Sequence, residues 1–331
     1  MRRARAGAAL ALALALGGCG KQSPLDPQSH PAREIATLWW GMLVAAGVVF
    51  VGAVALLLVA AVRREEPGLP LLGQRENLAT GLVLLFGIVI PAVVLITLFG
   101  LSNIGVLKAT EAPRASTTRM TVEVIGHQWF WEVRYPGTAA VTANEIHIPA
   151  RTRVNLVAKT ADVIHSFWVP QLNRKIDMIP GHPNRILLYA DKPGRYRGQC
   201  AEFCGPQHAH MADYVFADPP AKFSAWLRNM ASPRRKPTAP IARRGERVFL
   251  TNQCASCHTI RGTPARGAIG PDLTHLASRT TLAALAIPNN TAELGTWIAD
   301  PQHIKPGNKM PGLALRPSQF QDVLAYLETL K

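Results

Sequence analysis

Two uncharged stretches limit what this 331-residue chain can become more than anything else in it. The 25 residues from Leu38 to Val62 and the 30 from Leu78 to Leu107 contain no Asp, Glu, Lys or Arg. A helix rises 1.5 Å per residue, so each stretch is long enough to cross a hydrocarbon core about 30 Å thick. Residues 38–107 are therefore expected to form a transmembrane hairpin. The segment between the two runs, Arg63-Arg64-Glu65-Glu66 through Arg75-Glu76, holds three arginines, which favours the cytoplasmic side. Everything after about residue 108 is then expected on the outer side. Pro91 inside the second run predicts a kink that neighbouring helices accommodate.

The N-terminus points the same way. Residues 1–18 begin with Arg2-Arg3-Ala4-Arg5, continue through an Ala/Leu run too short to span a bilayer, and end in small residues, the pattern of an export signal. Leu16-Gly17-Gly18-Cys19 resembles the bacterial lipoprotein cleavage box, which would make Cys19 an acylated N-terminus in contact with membrane lipid. An ordinary signal with an incidental cysteine is the alternative. One acyl chain anchors weakly and would supplement the helices. Residues 19–37 are expected to be an external segment of a protein of the bacterial plasma membrane.

The sequence has only five cysteines, and each belongs to a separate feature, so none remains for a structural disulfide. In Cys200-Ala201-Glu202-Phe203-Cys204-Gly205-Pro206-Gln207-His208-Ala209-His210-Met211, two thiols, the imidazole of His208 and a thioether share one turn-rich loop. Soft thiolate and thioether donors select copper, and neutral imidazole suits it too. A single-copper electron carrier needs one thiolate, whereas two bridging thiolates at C-x3-C spacing would hold two coppers. That pair needs a second imidazole, for which His165 in Ile164-His165-Ser166-Phe167-Trp168 is the candidate. A disulfide or a copper-chaperone motif would also use C-x3-C; His208 and Met211 at fixed offsets after Cys204 favour the binuclear site.

Cys254-Ala255-Ser256-Cys257-His258 is the C-x-x-C-H signature of covalent haem attachment. Cys254 and Cys257 would form thioethers to the porphyrin and His258 would bind the iron. A zinc half-site or a thioredoxin-like dithiol is the competing reading, but neither a second ligand pair nor a βαβ pattern accompanies the motif. Electron-carrying haem takes a sixth ligand, and Met raises its potential. Met310, in Lys305-Pro306-Gly307-Asn308-Lys309-Met310-Pro311-Gly312, is that candidate, with His275 and His303 as competitors.

Residues 108–218 are expected to be all-β, because runs such as Thr121-Val122-Glu123-Val124 and Arg153-Val154-Asn155-Leu156-Val157 alternate between Pro and Gly turns. Residues 219–240 hold a short amphipathic helix around Ala221–Leu227 and then Ser232-Pro233-Arg234-Arg235-Lys236-Pro237-Thr238-Ala239-Pro240, a semi-extended linker. Residues 241–331 read as a largely helical domain around the haem. The net charge of +15 is spread along the chain, with +3 in residues 1–18 and +5 in 219–240. It forms no single basic patch on a recognised nucleic-acid module, so no nucleic-acid partner is expected.

The blocks His165-Ser166-Phe167, Lys175-Ile176-Asp177, Pro180-Gly181 and Gly198-Gln199-Cys200, with the loop that follows, resemble subunit II of the haem-copper cytochrome oxidases. The region around Cys254–His258, Gly270-Pro271-Asp272-Leu273, Trp297-Ile298-Ala299-Asp300-Pro301 and Met310 resembles small cytochromes c. The combination is that of a caa-type oxidase subunit. It implies a cupredoxin-like Greek-key domain whose binuclear centre, CuA, is held by His165, Cys200, Cys204, His208, Met211 and the main-chain carbonyl of Glu202. It further implies an all-α c-type cytochrome domain with one covalent haem c. In such an enzyme electrons pass from haem to copper to haem in subunit I, where oxygen becomes water with proton translocation. The partners implied are subunit I, the other oxidase subunits, and an external donor, either cytochrome c or a quinol-oxidising complex.

In Gly126-His127-Gln128-Trp129-Phe130-Trp131 the first tryptophan corresponds to the family's electron-entry residue, Trp129. Glu202 is also implied as a magnesium ligand at the subunit I interface, with Asp177 a second candidate. The acid that assists proton uptake in the family has only Glu76 to match it, outside the apolar run. Where relatives with separate donors carry acidic docking residues, this chain has Glu132-Val133-Arg134-Tyr135, a departure that suits a tethered donor. An electron-entry subunit of a copper-containing nitric oxide or nitrous oxide reductase, a stand-alone membrane-anchored carrier and a copper chaperone are the alternatives.

Overall fold

A computed structural model describes residues 22–63, 76–113, 118 and 120–331. Cys19, the leader and most of the arginine-bearing connection lie outside the described residues, as does the side chain of Glu76. The chain divides into two compact units, residues 30–111 and the remainder.

The first unit is helical. Helix α1 spans His30–Val62, and α2 runs from Glu76 through a π turn at Leu85–Val89, regular helix at Ile90–Leu101 and a second π stretch at Ser102–Leu107. Both spans, His30–Val62 and Thr80–Thr110, are long and apolar enough to cross a membrane, and none of their most apolar stretch is buried within the protein. Side chains such as Phe50 and Leu56 are exposed, an apolar surface that water does not favour and that lipid or partner helices must cover. The expected disturbance at Pro91 takes the form of the wide turn just before it. A proline lacks the N–H that the preceding turn needs, and a π turn is a local adjustment that tolerates the missing bond.

The second unit contains a β domain and a helical domain. With β2 at Phe130–Arg134, β3 at Val141–Ala143, β7 at Ile176–Met178 and β8 at Asn184–Leu188 among its ten strands, the β domain has two five-stranded sheets, ordered β3-β2-β1-β5-β8 and β4-β10-β9-β6-β7. Strand β1 (Thr121–His127) alternates half-buried and buried positions, so Val122 and Val124 enter the core with Trp131 and Leu156. Strands β1 and β5 (Val154–Thr160) pair in parallel, as do β4 (Glu145–Pro149) and β10 (Ala212–Asp218). Helix α3 (Pro220–Ala231) follows and buries Phe223 and Met230 against this core.

Residues 232–239 are extended, but they lie against the helical domain. Arg234 N donates to Arg261 O at 3.2 Å and the Arg234 guanidinium pairs with Glu246, while the His275 imidazole meets Ser232 O at 3.0 Å. Helix α4 (Pro240–Thr251) is followed by α5 (Cys254–Cys257), α6 (Thr291–Ala299), α7 (Pro301–Ile304) and α8 (Pro317–Leu327), and it crosses α8 at Gly245, where an added Cβ would sit 1.8 Å from Asp322 O. Phe249, Leu294, Ile298, Val323 and Tyr326 fill the core between the helices.

Candidate functional site

Strand register gathers the sulfur and imidazole donors. The loop after β9 (Gly194–Cys200) carries Cys200 to Met211 and returns as β10, while β6 (His165–Trp168) pairs antiparallel with β9, placing Phe167 opposite Cys200. His165 is two residues before Phe167, on the same face of its strand, and so stands over the loop. Its Nδ1 is 3.9 Å from Cys200 Sγ, and Cys200 Sγ is 3.8 Å from Cys204 Sγ. Among the described residues, His165, Cys200 and Cys204 are the group of His, Cys and acidic side chains whose ligand atoms converge enough to hold a metal ion.

The other donors divide between the two sulfurs. Glu202 O lies 3.2 Å from Cys200 Sγ, whereas His208 Nδ1 and Met211 Sδ lie 3.7 and 3.8 Å from Cys204 Sγ. Two sulfurs thus stand at the centre, flanked by one imidazole and carbonyl on one side and one imidazole and thioether on the other. That donor set, two sulfurs of cysteine with imidazoles and a thioether, suits copper. Met211, Cys200 and Cys204 are buried, so water is kept from the sulfurs.

Electrostatics favours one thiolate. The hydrogen bond from Cys204 holds the Cys200 thiol far below the usual range, and the charge of Cys200 correspondingly raises Cys204, so the pair shares one proton. Burial alone would lower His165, but its contacts with Cys200 and Asp162 raise it. Asp162 is a residue the sequence reading passed over. Its Oδ1 is 2.9 Å from His165 Nε2, and its Oδ2 accepts the Gln128 amide at 2.7 Å. Burial raises its carboxyl, yet these hydrogen bonds outweigh that and lower it. A carboxylate on the second ring nitrogen fixes the tautomer and leaves Nδ1 for a metal; an acid three residues before the histidine was the available signal.

The second cleft lies mainly in the helical domain and is largely apolar, with Gln128, Trp129, Phe130 and Asn144 of the β domain also lining it. Cys254, Cys257, His258 and Met310 all line it, whereas His275 and His303 do not. The short helix α5 (Cys254–Cys257) presents the thiols. His258 Nδ1 lies 2.8 Å from Pro271 O, which leaves Nε2 available for iron. Burial lowers the His258 pKa and keeps the ring neutral. Gly270 allows this close packing, since a Cβ there would come within 2.4 Å of His258 Cε1. On the Met310 loop, Asn308 Oδ1 accepts Met310 N at 2.7 Å and Gln302 Nε2 donates to Met310 O at 2.9 Å. An apolar cleft with two thiols at one wall, an imidazole committed through Nδ1 and a braced thioether fits a covalently held haem.

Trp129 connects the two regions. Its indole Nε1 donates to Cys204 O at 3.0 Å, and its side chain also lines the haem cleft. Glu202 is exposed, and Asp177 pairs with Lys175 at 2.8 Å, so among the described residues the chain does not assemble an acidic cluster around either.

The family described as cytochrome c oxidase subunit II, periplasmic domain, matches residues 139–217, and the family described as cytochrome c matches residues 242–331. Cytochrome c oxidase subunit 2 of Alkalihalophilus pseudofirmus is 33% identical over 328 residues, covering 97% of this chain and 95% of that one. The subunit 2 of Bacillus subtilis is 29% identical over 96% of this chain and 95% of its own length. Among solved structures, the periplasmic domain of subunit II of cytochrome oxidase from Bradyrhizobium japonicum is similar at 29% identity, over 36% of this chain and 96% of that one, with a TM-score of 0.34.

Proposed function

Because the chain belongs to the cytochrome c oxidase subunit II family and ends in a cytochrome c domain, we propose that it is the electron-entry subunit of a caa-type oxidase. The observation that carries this reading is the division of four further donors around two sulfurs 3.8 Å apart. Cys200, Cys204, His165, His208, Met211 and the Glu202 carbonyl would hold a pair of coppers between them. Cys254 and Cys257 would hold the haem covalently, and His258 and Met310 would bind its iron. When bound, these groups supply one-electron centres that relay charge from an external donor to subunit I, where oxygen is reduced.

The residues do the rest. The sandwich braces the copper ligands so that they move little, and Trp129, which lines the haem cleft, donates its indole N–H to the main-chain carbonyl of Cys204. Residues 22–29 hydrogen-bond to the β domain, Gln28 N to Gln171 O at 2.8 Å and Asp191 N to Gln28 O at 2.9 Å. The segment that precedes α1 is thus bound to the β domain, and this supports the external placement of both metal domains. Glu202, through its exposed carboxylate, is the residue to offer magnesium a ligand at the subunit I interface, and Cys19 the residue to carry lipid.

Purification of the tagged chain from its own membranes tests this reading. A large haem-copper subunit is expected to co-purify, with oxygen consumption and two coppers per covalent haem. Absence of that subunit, or turnover of nitric oxide in place of oxygen, would overturn it. A narrower test concerns Asp162: Asp162→Asn is expected to weaken copper retention about 10- to 100-fold, the usual effect of removing a ligand's supporting partner. Competition with a copper chelator measures this, and retention equal to that of the parent chain would exclude the role.

A further inference from the structure

Lys305 is 2% exposed, although lysine is among the residues least often buried. Among the described residues no carboxylate pairs with its Nζ. The ammonium instead donates to three carbonyls, those of Trp129 at 2.9 Å, His210 at 2.9 Å and Ala283 at 3.2 Å. An ammonium has three N–H donors and no acceptor, so the three oxygens satisfy it fully. Two of them belong to the β domain and one to the cytochrome domain. Burial nonetheless lowers the Lys305 pKa to about 7, so the contact is made against a real desolvation penalty.

The backbone around this point is shaped for the same purpose. Ala283, Ala284 and Leu285 all have left-handed φ values, 52°, 58° and 69°, a conformation that L-residues rarely adopt and that persists only where its surroundings hold it. The turn directs Ala283 O to Lys305 and Ala284 O to the Ala212 amide of the β domain at 3.4 Å. Glu145, buried on the β domain, answers from the other side. Its Oε1 accepts Thr280 N at 2.7 Å, Thr280 Oγ1 at 2.6 Å and Thr281 N at 3.2 Å. Beside the copper loop, Gln207 Nε2 donates to Pro306 O at 2.7 Å.

We propose that Lys305 is a positioning residue that seats the haem cleft on Trp129 and the copper loop, with Glu145 as its counterpart, so that the cytochrome domain works docked instead of searching at the end of a tether. This rests on the reading of the two clefts as haem and copper centres. A tether alone supplies an effective concentration on the order of millimolar and leaves each transfer dependent on an encounter. A latch removes the encounter. The segment that carries Met310 is the same one that carries Lys305, so the latch fixes the axial-ligand loop against the copper loop directly.

The test uses the full chain in its oxidase complex, with Lys305→Met and Glu145→Gln. The Ala212, Thr280 and Thr281 amides are bonded across the interface and none touches Lys305, so their hydrogen exchange reports docking. In Lys305→Met their exchange is expected to accelerate about 10- to 100-fold, the range for losing hydrogen bonds to a charged group, while strand β1 keeps its protection. Haem-to-copper transfer after flash reduction should slow by a similar factor and become viscosity-dependent, with the spectra and midpoint potentials of both centres unchanged. If β1 also loses protection, the fold has failed and Glu145→Gln decides, read at Ala212, which Glu145 does not touch. Unchanged exchange in the variant that keeps its fold overturns the proposal, and so does faster exchange with unaltered transfer. Exchange is read without copper or haem, so docked amides in a protein that lacks the cofactors would mark failure of the functional reading, whereas cofactors present with unchanged exchange in Lys305→Met would mark failure of the latch.

Discussion

Replacing Cys204 by serine eliminates the binuclear copper signal and leaves the haem spectrum as it was. Cys204 Sγ is the hub of the copper loop, 3.8 Å from Cys200 Sγ, 3.7 Å from His208 Nδ1 and 3.8 Å from Met211 Sδ. A serine hydroxyl is close in size but is a hard donor that stays protonated, and it cannot replace a thiolate shared by two soft ions. Its effect on copper retention should exceed the roughly 100-fold that marks the upper end for loss of a mere supporting partner. The fold should survive, because Trp129 Nε1 and Gln128 Nε2 bind the main-chain carbonyl of Cys204, at 3.0 and 2.9 Å, and not its sulfur. Paramagnetic resonance for copper and optical spectroscopy for haem, on one preparation, check both halves. Persistence of the binuclear signal would show that Cys204 is not a bridge.

Gly245→Ala carries the second large effect, and it acts on stability. The new Cβ would lie 1.8 Å from Asp322 O and 2.8 Å from Tyr326 Cβ, both on a helix that cannot retreat without opening the domain core. Overpacking of this kind costs about 3 kcal/mol or more when backbone must move. In a domain of this size each kcal/mol lowers the melting temperature by roughly 4–8 °C. The cytochrome domain should therefore melt about 12–24 °C lower, followed by Soret circular dichroism. Gly295→Ala is the control. Its Cβ would meet Phe320 Cζ at 3.6 Å and Leu324 Cδ2 at 3.7 Å, ordinary contacts, and alanine favours helix by about 1 kcal/mol. Equal melting of Gly245→Ala and the parent would contradict the close crossing of α4 and α8.

What the sequence made legible is what local chemistry dictates. Alternation announced strand β1, the uncharged runs announced α1 and α2, and Cys254-x-x-Cys257-His258 announced its cleft, because each signal is complete within a few residues. The copper loop was readable for the same reason, although His165 comes from a distant strand and only β-sheet register shows why it arrives. Pro91 foretold a disturbance in α2, while the π turn that absorbs it depends on how the backbone redistributes its hydrogen bonds. The linker was recognisable by its prolines and cations. Its attachment to Arg261 and His275 was not, because those contacts end on main-chain atoms of Arg234 and Ser232. Asp162, Glu145 and Lys305 escaped notice because a single charged residue reads as a solvated one until its neighbours are known.

The seam between the two metal domains has an evolutionary corollary. Lys305 grips carbonyls, Glu145 chiefly grips amides, Gln207 grips Pro306 O, and Arg261 reaches the carbonyls of Ala139, Met230 and Ala231. Each of these side chains thus addresses main-chain atoms, which every residue type supplies in nearly the same form. Positions such as Ala139, Ala231 and Ala283 can then drift without a matching change across the seam. At these contacts homologous sequences should show little pairwise covariation between the β and cytochrome domains, unlike at the Lys309–Asp162 side-chain pair, 3.5 Å apart. Selection would instead preserve a few gripping side chains and the backbone path of the turns they hold.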